Sequence, residues 1–168
     1  MEINIDKIKK ELERTTGRCN HVYLDNESDP EYIYVCFSGH YIVRIPAVYT
    51  PEQVLDMFGR GYGGDYIRPF HGAESFIDNV MTSKEEKVFT YTGIEERVGV
   101  KYAVFTYGNG EKAFFNPKFF KTYFKGLMGN DGTMKAKNIL FTGIDAENPM
   151  VLWENDEAIA LFLPVKVK

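Results

Sequence analysis

The sequence predicts an α+β fold, and three observations carry that prediction. Single helix signatures are separated by runs of strand signatures, the order strand, helix, strand, strand, strand occurs near both ends, and 44% of the 168 residues are apolar, enough to bury a core without staples. With 44% apolar and 26% charged residues, the composition points to neither a disordered chain nor a membrane span. Twenty Lys and Arg stand against twenty-four Asp and Glu, a net charge of -4, so any contact with a polyanion must come from a local basic patch.

The first copy of the motif covers residues 1–46. Residues 3–5 are a short apolar start, Asp6 stands at an N-cap position, residues 7–16 have helical periodicity, and Gly17 stops them. Three strands follow over 21–24, 32–37 and 41–45, parted by the turn formers of 25–30 and by Ser38 and Gly39.

Residues 47–110 belong to neither copy and read as an insertion packed on the same single domain, since no Pro-rich or Ser-rich linker sets them apart. The insertion opens on a helix: Thr50 is the N-cap, Pro51 takes the first position, Gln53 completes a capping box, and Val54, Leu55 and Phe58 share one side. A glycine-rich loop over 59–64 comes next, then an ambiguous stretch 73–81 and a hairpin pairing 88–92 with 100–107.

The second copy covers 111–168. Residues 113–115 form a strand, Asn116 caps a helix that carries Pro117 at its first position and runs to about Leu127, and Gly129 to Gly132 break it. Strands are expected over 134–144, 150–153 and 158–167, with turns around Pro149 and Asn155.

The two expected helices share one design. At about 100° per residue, Lys7, Lys10 and Arg14 fall on one narrow stripe opposite Ile5, Ile8 and Leu12. Lys118, Lys121 and Lys125 form the same stripe 111 positions later, opposite Phe119, Phe120, Tyr123, Phe124 and Leu127. One such stripe reads as a solvated helix face; its recurrence in equivalent places points to a surface for phosphates. Glu11 and Glu13 dilute the first stripe.

With M-E-I-N-I, a helix and three strands at one end, and F-F-N-P-K-F-F-K-T-Y-F-K-G-L followed by strands ending A-L-F-L-P-V-K-V at the other, residues 1–46 and 111–167 resemble one domain of the bacterial sliding clamp, the beta subunit of the replicative polymerase. The resemblance implies a DNA-clamp-like domain of two β-α-β-β-β repeats whose helices face duplex DNA without reading bases. It implies DNA contact by Lys7, Lys10, Arg14, Lys118, Lys121 and Lys125, and a partner-peptide pocket beside Leu163, Pro164 and Val165, which stand where the family has its methionine-proline-methionine ending. A clamp ring needs six such domains where this chain holds one, and the 47–110 insertion has no counterpart in the family.

Enzyme motifs are weak. The 59–64 loop follows a helix and lacks a closing Gly-Lys-Ser/Thr; Asp25, Glu27 and Asp29 have calcium-loop spacing, but Pro30 and Cys36 stand where Gly and Glu are required. His21, His40 and His71 have no metal-ligand spacing, Ser75 and Ser83 lack nucleophile-elbow glycines, and Cys19 and Cys36 are too far apart for a C-x-x-C site. The expected function is therefore non-enzymatic, without cofactor or metal: a module that contacts duplex DNA and tethers a replication or repair protein. The alternative is a scaffold that binds a protein partner through the insertion, where Tyr62, Tyr66, Phe70 and His71 lie near the glycines. The first residues lack a signal-peptide pattern, so a cytoplasmic location is expected, without membrane association. Pro164 and the charges of 154–157 would blunt one sheet edge and the insertion would cover another, predicting a monomer or weak dimer.

Overall fold

The computed structural model describes residues 1–14, 22–25, 30–37, 41–58 and 87–167. Those residues form a strand-rich α+β arrangement of antiparallel sheets, divided into two compact units: Ile5–Thr82, and Met1–Asn4 together with Ser83–Lys168. No helix among the described residues is long and apolar enough to cross a membrane.

In the unit Ile5–Thr82, helix α1 (Ile5–Arg14) precedes strands β2 (Val22–Asp25), β3 (Tyr32–Phe37) and β4 (Tyr41–Pro46), and helix α2 (Pro51–Phe58) follows them. Asp6 lies in the first turn of α1 and not at its cap, since the helix begins at Ile5; its carboxylate still complements the positive end of the helix dipole. The strands pair in the order β2, β3, β4, with Tyr34 opposite both Asp25 and Arg44. Ile33, Tyr34, Val35 and Cys36 are buried in succession, so β3 is covered on both faces, and Ile8 of α1 and Val54 of α2 are buried as well. The expected capping box is present: the Thr50 amide donates to Gln53 Oε1 at 2.8 Å and the Gln53 amide to Thr50 Oγ1 at 3.2 Å.

The second unit begins with β1 (Glu2–Ile3) and continues through β5 (Lys87–Val88), β6 (Thr90–Arg97), β7 (Val100–Tyr107) and β8 (Glu111–Phe115). After a π-helical turn, Phe119–Tyr123, come β9 (Phe124–Lys125), β10 (Ile139–Gly143), β11 (Met150–Glu154) and β12 (Glu157–Phe162). One sheet runs β6, β7, β8; β12, β11, β10 and β5 pair in sequence; β1 pairs with β9. The 47–110 segment shares a sheet with its successor, because β7 pairs with β8 across the 110/111 boundary. Between the sheets lies an aromatic core: Phe105 contacts Phe115, Phe120 and Phe141 at centroid distances of 5.5, 5.4 and 4.9 Å, and Phe162 stacks on Phe119 at 5.9 Å.

Four sequence expectations are corrected here. The helix over 116–127 is one π turn: the Asn116 side chain does accept from the Lys118 amide at 3.0 Å, but Phe124 is extended and pairs with Ile3. The strand over 134–144 is confined to 139–143, because Met134 bridges Met128 and the Lys135 amide donates to the Leu127 carbonyl at 2.9 Å. The strand over 158–167 ends at Phe162, after which the Val165 amide donates to the Phe114 carbonyl of β8 at 2.7 Å. In the hairpin, Lys87 and Val88 pair with β10 while β6 extends to Arg97, and the turn is made by Val98 and Gly99, both at positive φ.

Candidate functional site

Lysines are concentrated in one part of the second unit. Residues 116–138 hold Lys118, Lys121, Lys125, Lys135 and Lys137 against a single acid, Asp131. All six side chains are exposed. The backbone beneath them is fixed from inside, since Phe119, Phe120, Tyr123, Phe124, Leu127 and Met128 are all buried.

The loop between the π turn and β10 is closed by its own hydrogen bonds. Lys135 and Ala136 amides donate to the Leu127 carbonyl at 2.9 and 3.4 Å, Gly129 donates to Thr133 at 2.8 Å, and Gly132 donates back to Gly129 at 3.0 Å. The Tyr91 hydroxyl ties the loop to β6 by donating to the Gly132 carbonyl at 2.5 Å. Gly132 is required there: its φ is +81, and a Cβ would stand 3.0 Å from Ile94 Cγ1.

Two of the lysines converge on the tip of this loop. Lys121 Nζ lies 3.5 Å from the Asn130 carbonyl and Lys135 Nζ 3.2 Å from Asp131 Oδ2. Asp131 also accepts from the Thr133 hydroxyl at 2.7 Å and the Thr133 amide at 3.1 Å, and these bonds, with that of Lys135, hold its carboxyl down to about 2. Asp131 is thus spent on shaping the loop. Lys125, on β9, forms an ion pair with Glu2 on the adjacent β1.

The sequence placed Lys118, Lys121 and Lys125 on one helical stripe; the structure keeps Lys118 and Lys121 at the π turn and moves Lys125 to a strand. Lys135 and Lys137, absent from that stripe, enter through loop closure, and the count of five lysines to one acid was the signal that could have found them. Lys7 and Lys10 are exposed on α1, in the other unit; of Arg14 only its place at the end of α1 is described. Leu163 and Pro164 are half-buried, and Val165 is exposed with its amide committed to β8. Tyr62, Tyr66, Phe70 and His71 lie outside the described residues, as do His21, His40, Ser75, Ser83 and Cys19.

What the basic segment can do chemically is attract anions. Ammonium groups on a fixed backbone attract phosphate and supply no nucleophile. Among the described residues, each displaced pKa moves away from neutrality: Cys36 is pushed up to about 12 by burial, Tyr91 is raised by burial and then by Asp131, and Glu95, Asp131 and Asp145 are lowered by hydrogen bonds. No group of three or more His, Cys, Asp or Glu among the described residues could hold a metal ion. No family model matches this chain, and no curated protein or solved structure matches it either.

Proposed function

We propose that the protein is a non-enzymatic, cytoplasmic nucleic-acid-binding module that grips duplex phosphates through its lysine-rich segment. The observation that carries this reading is the run of five exposed lysines within 116–138, Lys118 and Lys121 at the π turn, Lys125 on β9, and Lys135 and Lys137 in and after the hydrogen-bonded loop, against one acid that is itself hydrogen-bonded within the loop. Lys7 and Lys10, exposed on α1, are further candidates for phosphate contact, and Arg14 stands at the end of the same helix. Lysine is a point charge that fixes no base identity, so the binding is independent of sequence. A tethering role toward a replication or repair protein, as the resemblance to sliding clamps implies, belongs to the same proposal, as does a monomer or weak dimer in solution.

The test is anisotropy of a labelled mixed-sequence duplex over a salt series. If three to five lysines each neutralise a phosphate, log K falls against log salt with a slope of roughly -3 to -5. Absence of binding at low salt, or binding indifferent to salt, would overturn the proposal.

A second reading, a protein partner docked on the 47–110 segment without DNA, is favoured by one observation. Of the seven large apolar side chains exposed among the described residues, five lie in that segment: Val48, Tyr49, Val88, Val98 and Val100. Under this reading V98D and V100D abolish partner binding, and the lysine substitutions do not.

A further inference from the structure

The β6–β7–β8 sheet has one side in the aromatic core, where Ala103, Phe105, Ala113 and Phe115 are fully buried. On the other face, to which Thr106 and Lys112 alternate, lies a depression of about 390 Å³ lined by Thr92, Gly93, Ile94, Glu95, Val104, Thr106 and Lys112. A β-bulge creates it: the register of β6 against β7 slips between Tyr91 and Gly93. Gly93 has a φ of +135, and apart from Gly93 itself and its two chain neighbours no described atom lies within 4 Å of where its Cβ would stand. A glycine inside a strand weakens the strand, and here it keeps the space above the backbone open.

The polar rim is held in place. Lys112 on β8 reaches across β7 to Glu95 on β6, with Nζ 3.0 Å from Oε2, and Arg97 Nε lies 2.5 Å from Oε1. The Arg97 guanidinium is in turn seated 4.4 Å over the Phe114 ring. Hydrogen bonds from Arg97 and then Lys112 hold the Glu95 carboxyl below the usual range, so it is an acceptor at neutral pH. Thr92 Oγ1 donates to the Val104 carbonyl at 3.1 Å, which leaves its lone pairs to accept from a ligand.

We infer that this depression is a binding site for a polyhydroxylated ring of monosaccharide size, recognised through two neighbouring hydroxyls by Glu95 and Lys112. One hydroxyl donates to the carboxylate, its neighbour accepts from the ammonium, a third donates to Thr92, and the C–H face of the ring lies over the Gly93 backbone. Other ligand classes fit the rim less well. An inorganic anion meets the Glu95 carboxylate beside the cations, and an apolar ring strips water from the ion pair without replacing its hydrogen bonds. This inference is independent of the lysine-rich segment.

The test is an amide-resolved NMR titration of the full chain with glucose, ribose, myo-inositol and cis-1,2-cyclohexanediol, with cyclohexanol and inorganic phosphate as separate arms. Saturable millimolar shifts confined to Gly93, Ile94, Thr106 and Lys112 are expected from at least one polyol. The conservative variants E95Q and K112M should each weaken that binding by roughly tenfold while leaving the rest of the spectrum unchanged. No saturable shift with any polyol overturns the inference, as do equal shifts from cyclohexanol, the same shifts from phosphate alone, or undiminished binding in K112M.

Discussion

The helix α1 and the segment 116–125 carry cations at the same spacing, 111 positions apart, with apolar residues between them at similar intervals. One is a ten-residue α-helix; the other is a single π turn that runs straight into a strand. The difference lies in what fills the pattern. IDKIKKELER consists mainly of Lys, Glu, Leu and Arg, all strong helix formers, whereas FFKTYFK has four aromatic residues and a threonine, which lose side-chain freedom in a helix. With weak local preference, the environment decides. Phe119, Phe120, Tyr123 and Phe124 are all buried, and the backbone of Phe124 and Lys125 pairs with Ile3 and Glu2. Equal spacing of charge is therefore no guarantee of equal structure when the residues beneath it differ in what they must bury.

The largest expected effect tests that burial. Phe120 is fully buried against Phe105, Phe141 and Phe162, and F120A should destabilise the second unit by about 3–5 kcal/mol in urea unfolding. A loss below about 1 kcal/mol would show that the aromatic residues do not hold the turn, and the contrast with α1 would need another cause.

Next in size is the contrast in function. If the late segment is the main phosphate contact, the combined variant K118E, K121E and K135E should weaken duplex binding roughly a hundredfold at low salt, and K7E with K10E by roughly tenfold. Equal losses would make the two basic surfaces equivalent despite their different backbones. Anisotropy titrations of both variants, with circular dichroism to confirm folding, decide between these outcomes.

Helix α2 supplies a third term for the comparison, a helix held by its own first turn. T50A removes the hydroxyl that accepts from the Gln53 amide and should cost about 1 kcal/mol, read as a lowered urea midpoint with unchanged slope. No change would mean that packing of Val54, and not the cap, sets the start of α2.

The smallest effect concerns the loop that carries the late lysines. The Asp131 carboxyl is lowered from 3.8 to about 2 in the folded chain, so its stabilising contribution is present above pH about 4 and is lost as pH falls through about 2. D131N should therefore be less stable than the parent at neutral pH, with the gap closing as the pH is lowered through that window. A gap that is constant with pH would separate the shape of the loop from the charge of Asp131.

Among the described residues of the unit Ile5–Thr82, several elements were legible from local signals. The β3 bounds coincide with the expected 32–37, β4 differs by one residue, and α2 begins at the proline its capping box marks. In the second unit β11 was legible as well, within one residue of 150–153. The site was only partly so. Lys118 and Lys121 could be read from spacing, but Lys135 and Lys137 looked like strand residues until the 127–136 hydrogen bonds turned them into a loop. The Glu95–Lys112 pair had no signature, because the two residues meet across an intervening strand.

By itself, then, the sequence determined those elements whose information is local: alternating β-branched and aromatic runs bounded by turn formers, and helices with caps or strong formers, since in these the backbone preference and the buried face agree. Only the tertiary structure decided the fate of residues whose local preferences conflict or cancel. The aromatic residues after Asn116 could serve a helix or a strand and went to whichever arrangement buried all of them. Residues 163–165 left the strand because Pro164 has no amide to donate and the edge of β8 offered the Val165 amide an acceptor. Thr92 became the extra residue of a bulge, since Tyr91 pairs with Phe105 and Gly93 with the next residue, Val104, and that register arises from the pairing of two strands rather than from either strand alone.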